Sequence, residues 1–393
     1  VKFLLLAAAV ANAGVWFDGN SSAPSFTPPP RTPAAVALAV KRPEPIPNDL
    51  YAAAARLGHA AMIASLPARG NESFSFGVLG DAEPGRFWWE RIFNPGENSF
   101  IDQWRNLQDT GIDFTLQLGD FVSRGNVMNY RDHVGVIVRW MRKPILRCLG
   151  NHDRSESNGT GDKSLYDAVF GARDYFFDHG GWRFVSLDSS DRRLTKTQLA
   201  WLKGVLAAPG PKVVFTHVPP AFLKGLRPVA EAGWRQAQAM HMSHSHEGEP
   251  DHSYMQDFFT NYFKQGSREF DDIVAAGGVK AVYMGHIHAF WAADHRGVRY
   301  IISGGGGSPL YPVLPPGYPT KVFAHTLRVT VGPSGLTETV IPFSGRPFVL
   351  PPVRPRYEEI TQTLPVRSVS DTGPSARLPN PRLPRTSVSS SSL

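Results

Sequence analysis

Residues 144–153 read Pro-Ile-Leu-Arg-Cys-Leu-Gly-Asn-His-Asp, an apolar run that stops at a glycine and then delivers three polar side chains in succession. A run this short fits a buried strand, with Asn151-His152-Asp153 at its C-terminal end. The same grammar recurs on either side. Phe74–Gly80 (FSFGVLG) runs into Asp81, and Ile112–Gly119 (IDFTLQLG) into Asp120. Lys212–Thr216 runs into His217, and Ala281–Met284 into Gly285-His286-Ile287-His288. Helices are expected between these runs, over Phe100–Asp109, Asn129–Met141 and Thr195–Leu206, the last with Leu199, Leu202 and Leu206 on one stripe. Phe176–Phe177 and Arg183–Leu187 read as strands paired around Gly180-Gly181, and Arg299–Ser303 and Val322–Val331 as closing strands. Strands alternating with helices predict a layered α/β domain, whose sites form where strands end.

The flanks have another character. Lys2, the apolar run Phe3–Val10 and Ala11-Asn12-Ala13 follow the pattern of a cleaved secretory signal over residues 1–13, which predicts a secreted or periplasmic protein. A bland apolar helix is the alternative. That run is far short of a membrane span, and no later segment is long and apolar enough for one. Residues 14–50 form a proline-rich linker, and Tyr51–Leu66 is alanine-rich and helix-forming. The domain is expected over 51–343, with an insertion at about 223–253, followed by a disordered Pro/Arg/Ser-rich tail over 344–393. The tail carries seven arginines against three acids, so more than half of the +7 formal charge lies there. The weakly charged body gives no firm support for nucleic-acid binding. Glycine (37) and proline (34) are plentiful, as in an enzyme with long loops. Cys148 is the only cysteine, so no intrachain disulfide forms, and nothing in the sequence sets an oligomeric state.

Singly, each motif is weak, because a lone histidine is more often a satisfied core residue than a ligand. Jointly, Gly80-Asp81-Ala82-Glu83, Gly119-Asp120, Gly150-Asn151-His152-Asp153, His217 and Gly285-His286-Ile287-His288 resemble the calcineurin-like metallophosphoesterase superfamily, over roughly Phe74–Phe343. Gln198-Leu199-Ala200-Trp201-Leu202 and the run Gly304–Gly307 are similar to bacterial members. The resemblance implies a layered sandwich of two mixed β-sheets flanked by helices. It also implies two divalent metal ions, with Mn, Fe or Zn the ions expected, and a phosphate-ester small molecule or phosphorylated substrate. Carried over, Asp120 bridges, Asp81 and His288 bind the first ion, and Asn151, His217 and His286 bind the second. Carboxylate and imidazole ligands suit such ions. The implied reaction is phosphomonoester or phosphodiester hydrolysis by a metal-bridging hydroxide. His152 would assist the leaving group. Asp153 would orient that imidazole, or else cap a turn.

Several positions depart from the family pattern. The first motif ordinarily reads Asp-x-His, and Glu83 either replaces that histidine as an oxygen ligand or leaves its place to water. Gly119-Asp120-Phe121-Val122-Ser123-Arg124-Gly125 is similar to the protein Ser/Thr phosphatase motif, with Ser123 where Asp is usual. Arg124 thus contacts phosphate or merely closes the loop. Position 123 is not tyrosine, so the iron-tyrosinate of purple acid phosphatases is not indicated. His286 and His288 need an irregular turn to aim at neighbouring ions, and Gly285 supplies the backbone freedom. His241–His252 (HMSHSHEGEPDH) is a lid, a further metal site or a solvated loop, and Phe87-Trp88-Trp89 a substrate wall or ordinary core. The competing functions are a nuclease or nucleotide hydrolase, and a metal-binding scaffold impaired by the change at position 83.

Overall fold

The apolar runs become strands because both of their faces are covered. The computed structural model describes residues 45–70, 72–82, 99–225, 262–308 and 324–350, all within one compact unit. Among these residues the chain builds two mixed six-stranded sheets. In the first, β1 (Phe74–Leu79), β2 (Thr115–Gln117) and β3 (Ile145–Arg147) run parallel. β10 (His325–Gly332), β11 (Gly335–Pro342) and β12 (Phe348–Val349) extend it antiparallel beyond β1. In the second, β5 (Trp182–Leu187), β6 (Lys212–Thr216), β7 (Val279–Met284) and β9 (Val298–Ser303) run parallel. β4 (Tyr175–His179) and β8 (Phe290–His295) lie antiparallel at its two edges.

Period-two alternation sorts the second sheet's side chains between two cores. Val213, Phe215, Ala281 and Tyr283 join the cluster that holds Phe76 of β1 and Phe114, the residue before β2. Val214, Val282 and Met284 join the other, with helices α6 (Lys196–Leu206) and α7 (Ser267–Ala276). Aromatic rings carry the contact between the sheets: Phe184 meets Phe76 and Phe114 edge-on, each at 5.2 Å between centroids. The first cluster also takes in residues of α1 (Asn48–Leu57), α3 (Ser99–Gln108), α4 (Val127–Trp140) and α5 (Ser164–Phe170). Arg147 is fully buried on β3. Its Nε donates to Gln117 Oε1 at 3.2 Å and its guanidinium lies 4.0 Å from the Phe170 ring centre, so a cation is tolerated inside an apolar strand.

Local chemistry sets the ends of elements. The Asn126 side chain accepts from Asn129 N–H, which starts α4 at Val127, two residues before the sequence pattern suggests. Thr195 and Gln198 form a capping box at α6. The alanine-rich stretch is two helices, α1 and α2 (His59–Ala64), broken at Gly58. Folded structure reaches past both expected limits. α1 begins at Asn48 with Leu50 buried, and Phe348–Val349 pair with β11 ahead of the buried Leu350. A few apolar side chains suffice to prolong a sheet edge. The signal, most of the linker and tail, Glu83, Phe87–Trp89 and His241–His252 lie outside the described residues. Among the described residues no helix is long and apolar enough to cross a membrane.

Because Phe184 stands at the contact of the two sheets, Phe184→Ala is expected to lower stability by about 3–5 kcal/mol. Urea unfolding would measure this, and a loss below 1 kcal/mol would contradict the packing described.

Candidate metal centre

Parallel strands bring their C-terminal ends to one edge, and backbone bonds tie the edges of the two sheets together. Gly306 N–H donates to Gly80 O at 2.8 Å, and Ser308 N–H to Asp81 O at 3.0 Å, so the glycine run after β9 is laced to the end of β1. A side chain on this run would not fit: a Cβ at Gly304 would lie 2.2 Å from Ile287 O and 2.9 Å from an Asp81 oxygen. Gly150 is under the same constraint, since a Cβ there would come within 2.1 Å of Asp120.

Asp153 does most to shape the edge. Its Oδ2 accepts from Asp120 N–H (2.9 Å) and Gly150 N–H (2.7 Å), and its Oδ1 from Phe121 N–H (2.9 Å) and Val122 N–H (3.2 Å). The loops leaving β2 and β3 are thereby joined through one carboxylate. Four donors fill its lone pairs, so it does not serve the His152 imidazole. Of its two expected roles, orienting that ring or capping a turn, the backbone bonds match the second, extended to a staple between two loops. His152 Nδ1 instead donates to Ser123 O at 3.2 Å.

Within this frame four ligand-type atoms converge. His217 Nε2 lies 3.0 Å from Asn151 Oδ1, 3.1 Å from Asp120 Oδ2 and 3.1 Å from His286 Nδ1. His217 Nδ1 donates to Leu118 O at 2.8 Å, so its lone pair faces the others. Asp120, His217 and His286 are all buried. Acceptors this close repel unless a proton or a cation stands among them. Atoms about 2.1 Å from a common ion and at right angles to one another lie about 3.0 Å apart. The donor set therefore fits a divalent cation, and its imidazole and carboxyl chemistry suits Mn, Fe or Zn. His286 Nε2 is buried with no hydrogen-bond partner among the described residues, which leaves Nδ1 as the nitrogen turned to use.

Asp81 and His288 stand beside this group. His286 N–H donates to both Asp81 oxygens at 2.9 and 3.0 Å, and His288 Nε2 lies 3.6 Å from Asp81 Oδ1. Three residues of the centre, Asp81, Asp120 and His286, adopt left-handed backbone with φ of 52°, 48° and 69°. For non-glycine residues this costs about 1–3 kcal/mol each, and such outliers cluster at functional sites. The irregular turn is thus borne by His286 itself. Gly285 has an ordinary φ, and its bare Cα is needed because a Cβ would meet an Asp81 oxygen at 2.6 Å.

Arg124, expected beside phosphate or closing the loop, sits outside the centre, 60% exposed and 3.6 Å from the equally exposed Glu156. Of the expected residues, then, Asp120, Asn151, His217 and His286 come together, Asp81 and His288 adjoin them, and His152 borders them. Sequence reasoning passed over Arg154, although it directly follows Asp153. It is buried, with Nε donating to Asn151 O at 3.3 Å and the guanidinium paired with Asp191.

Burial opposes charge on His217, yet Asp120 and Asp81 push its pKa up to about 9. Burial likewise opposes ionisation of Asp120, but His217 and His152 hold its carboxyl well below the usual range. Burial, then the charge on His217 and that of Arg192, push His286 well down. Burial with Asp120 nearby raises Asp153 to about 7, against the pull of its N–H donors. Without metal the centre is thus a His217–Asp120 ion pair beside a neutral His286.

A model of the calcineurin-like phosphoesterase family matches residues 75–290, more than half of the chain. No curated protein matches the sequence. A purple acid phosphatase from yellow lupin (Lupinus luteus) seeds superposes with a TM-score of 0.50 at 14% identity, over 78% of this chain and 59% of the lupin chain. A dimetal phosphatase from Danio rerio superposes with a TM-score of 0.43 at 13% identity, over 70% of this chain and 98% of that one. At 14% identity the likeness to the lupin protein is one of fold.

Two outcomes follow from the geometry. Asp153→Asn turns an amide NH2 toward backbone donors and is expected to cost about 3–5 kcal/mol in denaturant unfolding. A variant as stable as the parent would remove the staple from the account. A cation must displace the proton of His217, so metal affinity is expected to rise about tenfold per pH unit from about pH 7 and to level off near 9. Calorimetric titration across that range checks this, and a flat profile would contradict it.

Proposed function

We propose that this chain, which belongs to the calcineurin-like phosphoesterase family, is an exported hydrolase of phosphate monoesters or diesters that works with two divalent cations, Mn, Fe or Zn. The observation carrying this reading is the meeting of Asp120, Asn151 and His286 atoms, each 3.0–3.1 Å from His217 Nε2. Membership in the family supports metal-dependent hydrolysis of phosphoesters. The substrate class and the two-ion count are the finer proposal.

Asn151, His217 and His286 would hold one cation, Asp81 and His288 the other, and Asp120 both. When bound, such a pair supplies a nucleophile at neutral pH and offsets charge on the phosphoryl oxygens. The chain's own residues do the rest. The Asp153 staple fixes Asp120 and Asn151 relative to each other, so the ligand spacing does not have to be assembled on binding. The bond from His152 N–H to Asp120 Oδ1 (2.8 Å) ties the bridging carboxylate to the residue whose ring borders the centre. With Nδ1 donating to Ser123 O, Nε2 is the His152 nitrogen that would hold a proton for the departing oxygen. Export is supported by the Phe3–Val10 run and the small residues after it.

The test is hydrolysis of p-nitrophenyl phosphate and bis(p-nitrophenyl) phosphate with Mn²⁺, Fe²⁺ or Zn²⁺, with metal content measured on the same sample. Turnover should require metal and fall about a thousandfold in Asp120→Asn. Bound metal without turnover on either ester would favour a scaffold and defeat the proposal.

A further inference from the structure

Arg147 is a fully buried cation with most of its donors unspent. Its strand, β3, lies beside β2, where Gln117 faces it in register, and both residues are 0% exposed. A guanidinium offers five N–H donors. Nε spends its own on Gln117 Oε1 at 3.2 Å. Nη1 and Nη2 are buried and have no hydrogen-bond partner among the described residues. Gln117 Nε2, on the same amide that Arg147 Nε holds, is buried without a partner as well. Two neighbouring side chains thus turn unpaired N–H groups into one interior region.

The surroundings are aromatic, not acidic. The guanidinium carbon lies 4.0 Å from the Phe170 ring centre and 5.4 Å from that of Phe121. His133 packs on the same Phe121 ring, 4.6 Å between centres, and its Nε2 is a further buried nitrogen without a partner. The Tyr166 and Tyr175 hydroxyls both donate to Arg147 O, at 2.8 and 3.0 Å, so they fix the backbone and leave the charge alone. The Asp153 carboxylate is filled by its four backbone donors. Burial pushes the Arg147 guanidinium down to about 10, which leaves it charged at neutral pH.

We infer that Arg147 and Gln117 form a buried site for a small monovalent anion, a halide such as chloride, held on Nη1 and Nη2 of the one and Nε2 of the other. A buried charge without a counter-charge is far more costly than a buried dipole, and water supplies hydrogen bonds but no charge. The ring quadrupoles of Phe121 and Phe170 attract the cation, yet they do not replace the acceptors its N–H groups lack. One negative charge matches one guanidinium, and aromatic walls select a weakly hydrated ion over fluoride, sulfate or phosphate. The site concerns how the strand that delivers Asn151 is held, and it stands independently of the phosphoesterase reading.

The experiment uses the full chain, wild type and Arg147→Met, stripped of metal with EDTA so that halide cannot act at the metal centre. Thermal unfolding midpoints are read at fixed ionic strength as sodium gluconate is replaced by sodium chloride or bromide. An apolar side chain often replaces a buried ion without loss of the fold, so Arg147→Met is expected to fold. Wild type should gain about 2–5 °C along a saturable one-site curve, and Arg147→Met less than about 1 °C. The contrast between the two proteins removes general salt effects. Crystals of wild type grown after prolonged dialysis into sodium bromide give a reading that needs no variant. They should show bromine anomalous signal within about 3.5 Å of the Arg147 Nη atoms. Equal midpoint responses in the two proteins would overturn the inference. So would bromine confined to the surface, or water alone on the Nη atoms. Should Arg147→Met not fold, the bromine signal decides. Halide bound at Arg147 in a protein that hydrolyses neither ester would uphold this site while the hydrolase reading fell.

Discussion

The carboxylate of Asp153 receives four backbone N–H groups from two loops and makes them one object. Without it, the chain leaving β2 and the chain leaving β3 would each have buried donors and no acceptor, at about 1–3 kcal/mol apiece. With it, Asp120 and Asn151 arrive on a shared frame, and Gly150 must be glycine because the two loops then touch. The left-handed backbone at Asp120 is held by the same bonds. Strain at the ligands is thus sustained by a polar network that takes no direct part in chemistry.

The second sheet enters the site through contacts of the same kind. Both Asp81 oxygens accept from the N–H of His286, a bond between residues 205 apart in sequence. The glycine run behind it lets the end of β9 lie against the end of β1. Apolar packing between the sheets sets their separation, and the polar bonds at the edge set their register. The positions of six ligand-type residues follow from these two constraints together.

Much of this was legible beforehand, because a strand buried on both faces announces itself as an unbroken apolar run. β1, β2, β3, β6 and β7 were read that way, β5 as one arm of a hairpin, β9 as a closing strand, and α6 from its leucine stripe. β8 and β11 were missed, since Trp291 to His295 and Leu336 to Val340 mix polar and apolar residues as edge or half-exposed strands do. α7 followed a long insertion that obscured its start. At the centre, residue types at strand ends were readable, but partners were not. Asp153 could be read as orienting a ring or capping a turn, and only the crowding of four N–H groups distinguishes the staple. Arg124 fitted a known motif, yet it stands exposed beside Glu156, outside the centre.

The two histidines nearest each other face the centre with different nitrogens, Nε2 from His217 and Nδ1 from His286. Nε2 sits at the far end of the ring and Nδ1 close to the chain. A glutamine side chain reaches about as far as the first and an asparagine about as far as the second. The pair is therefore not interchangeable in drift or in redesign: amide replacements that preserve reach are Gln at 217 and Asn at 286, and the swapped choices would leave one amide short of the centre and crowd the other into it.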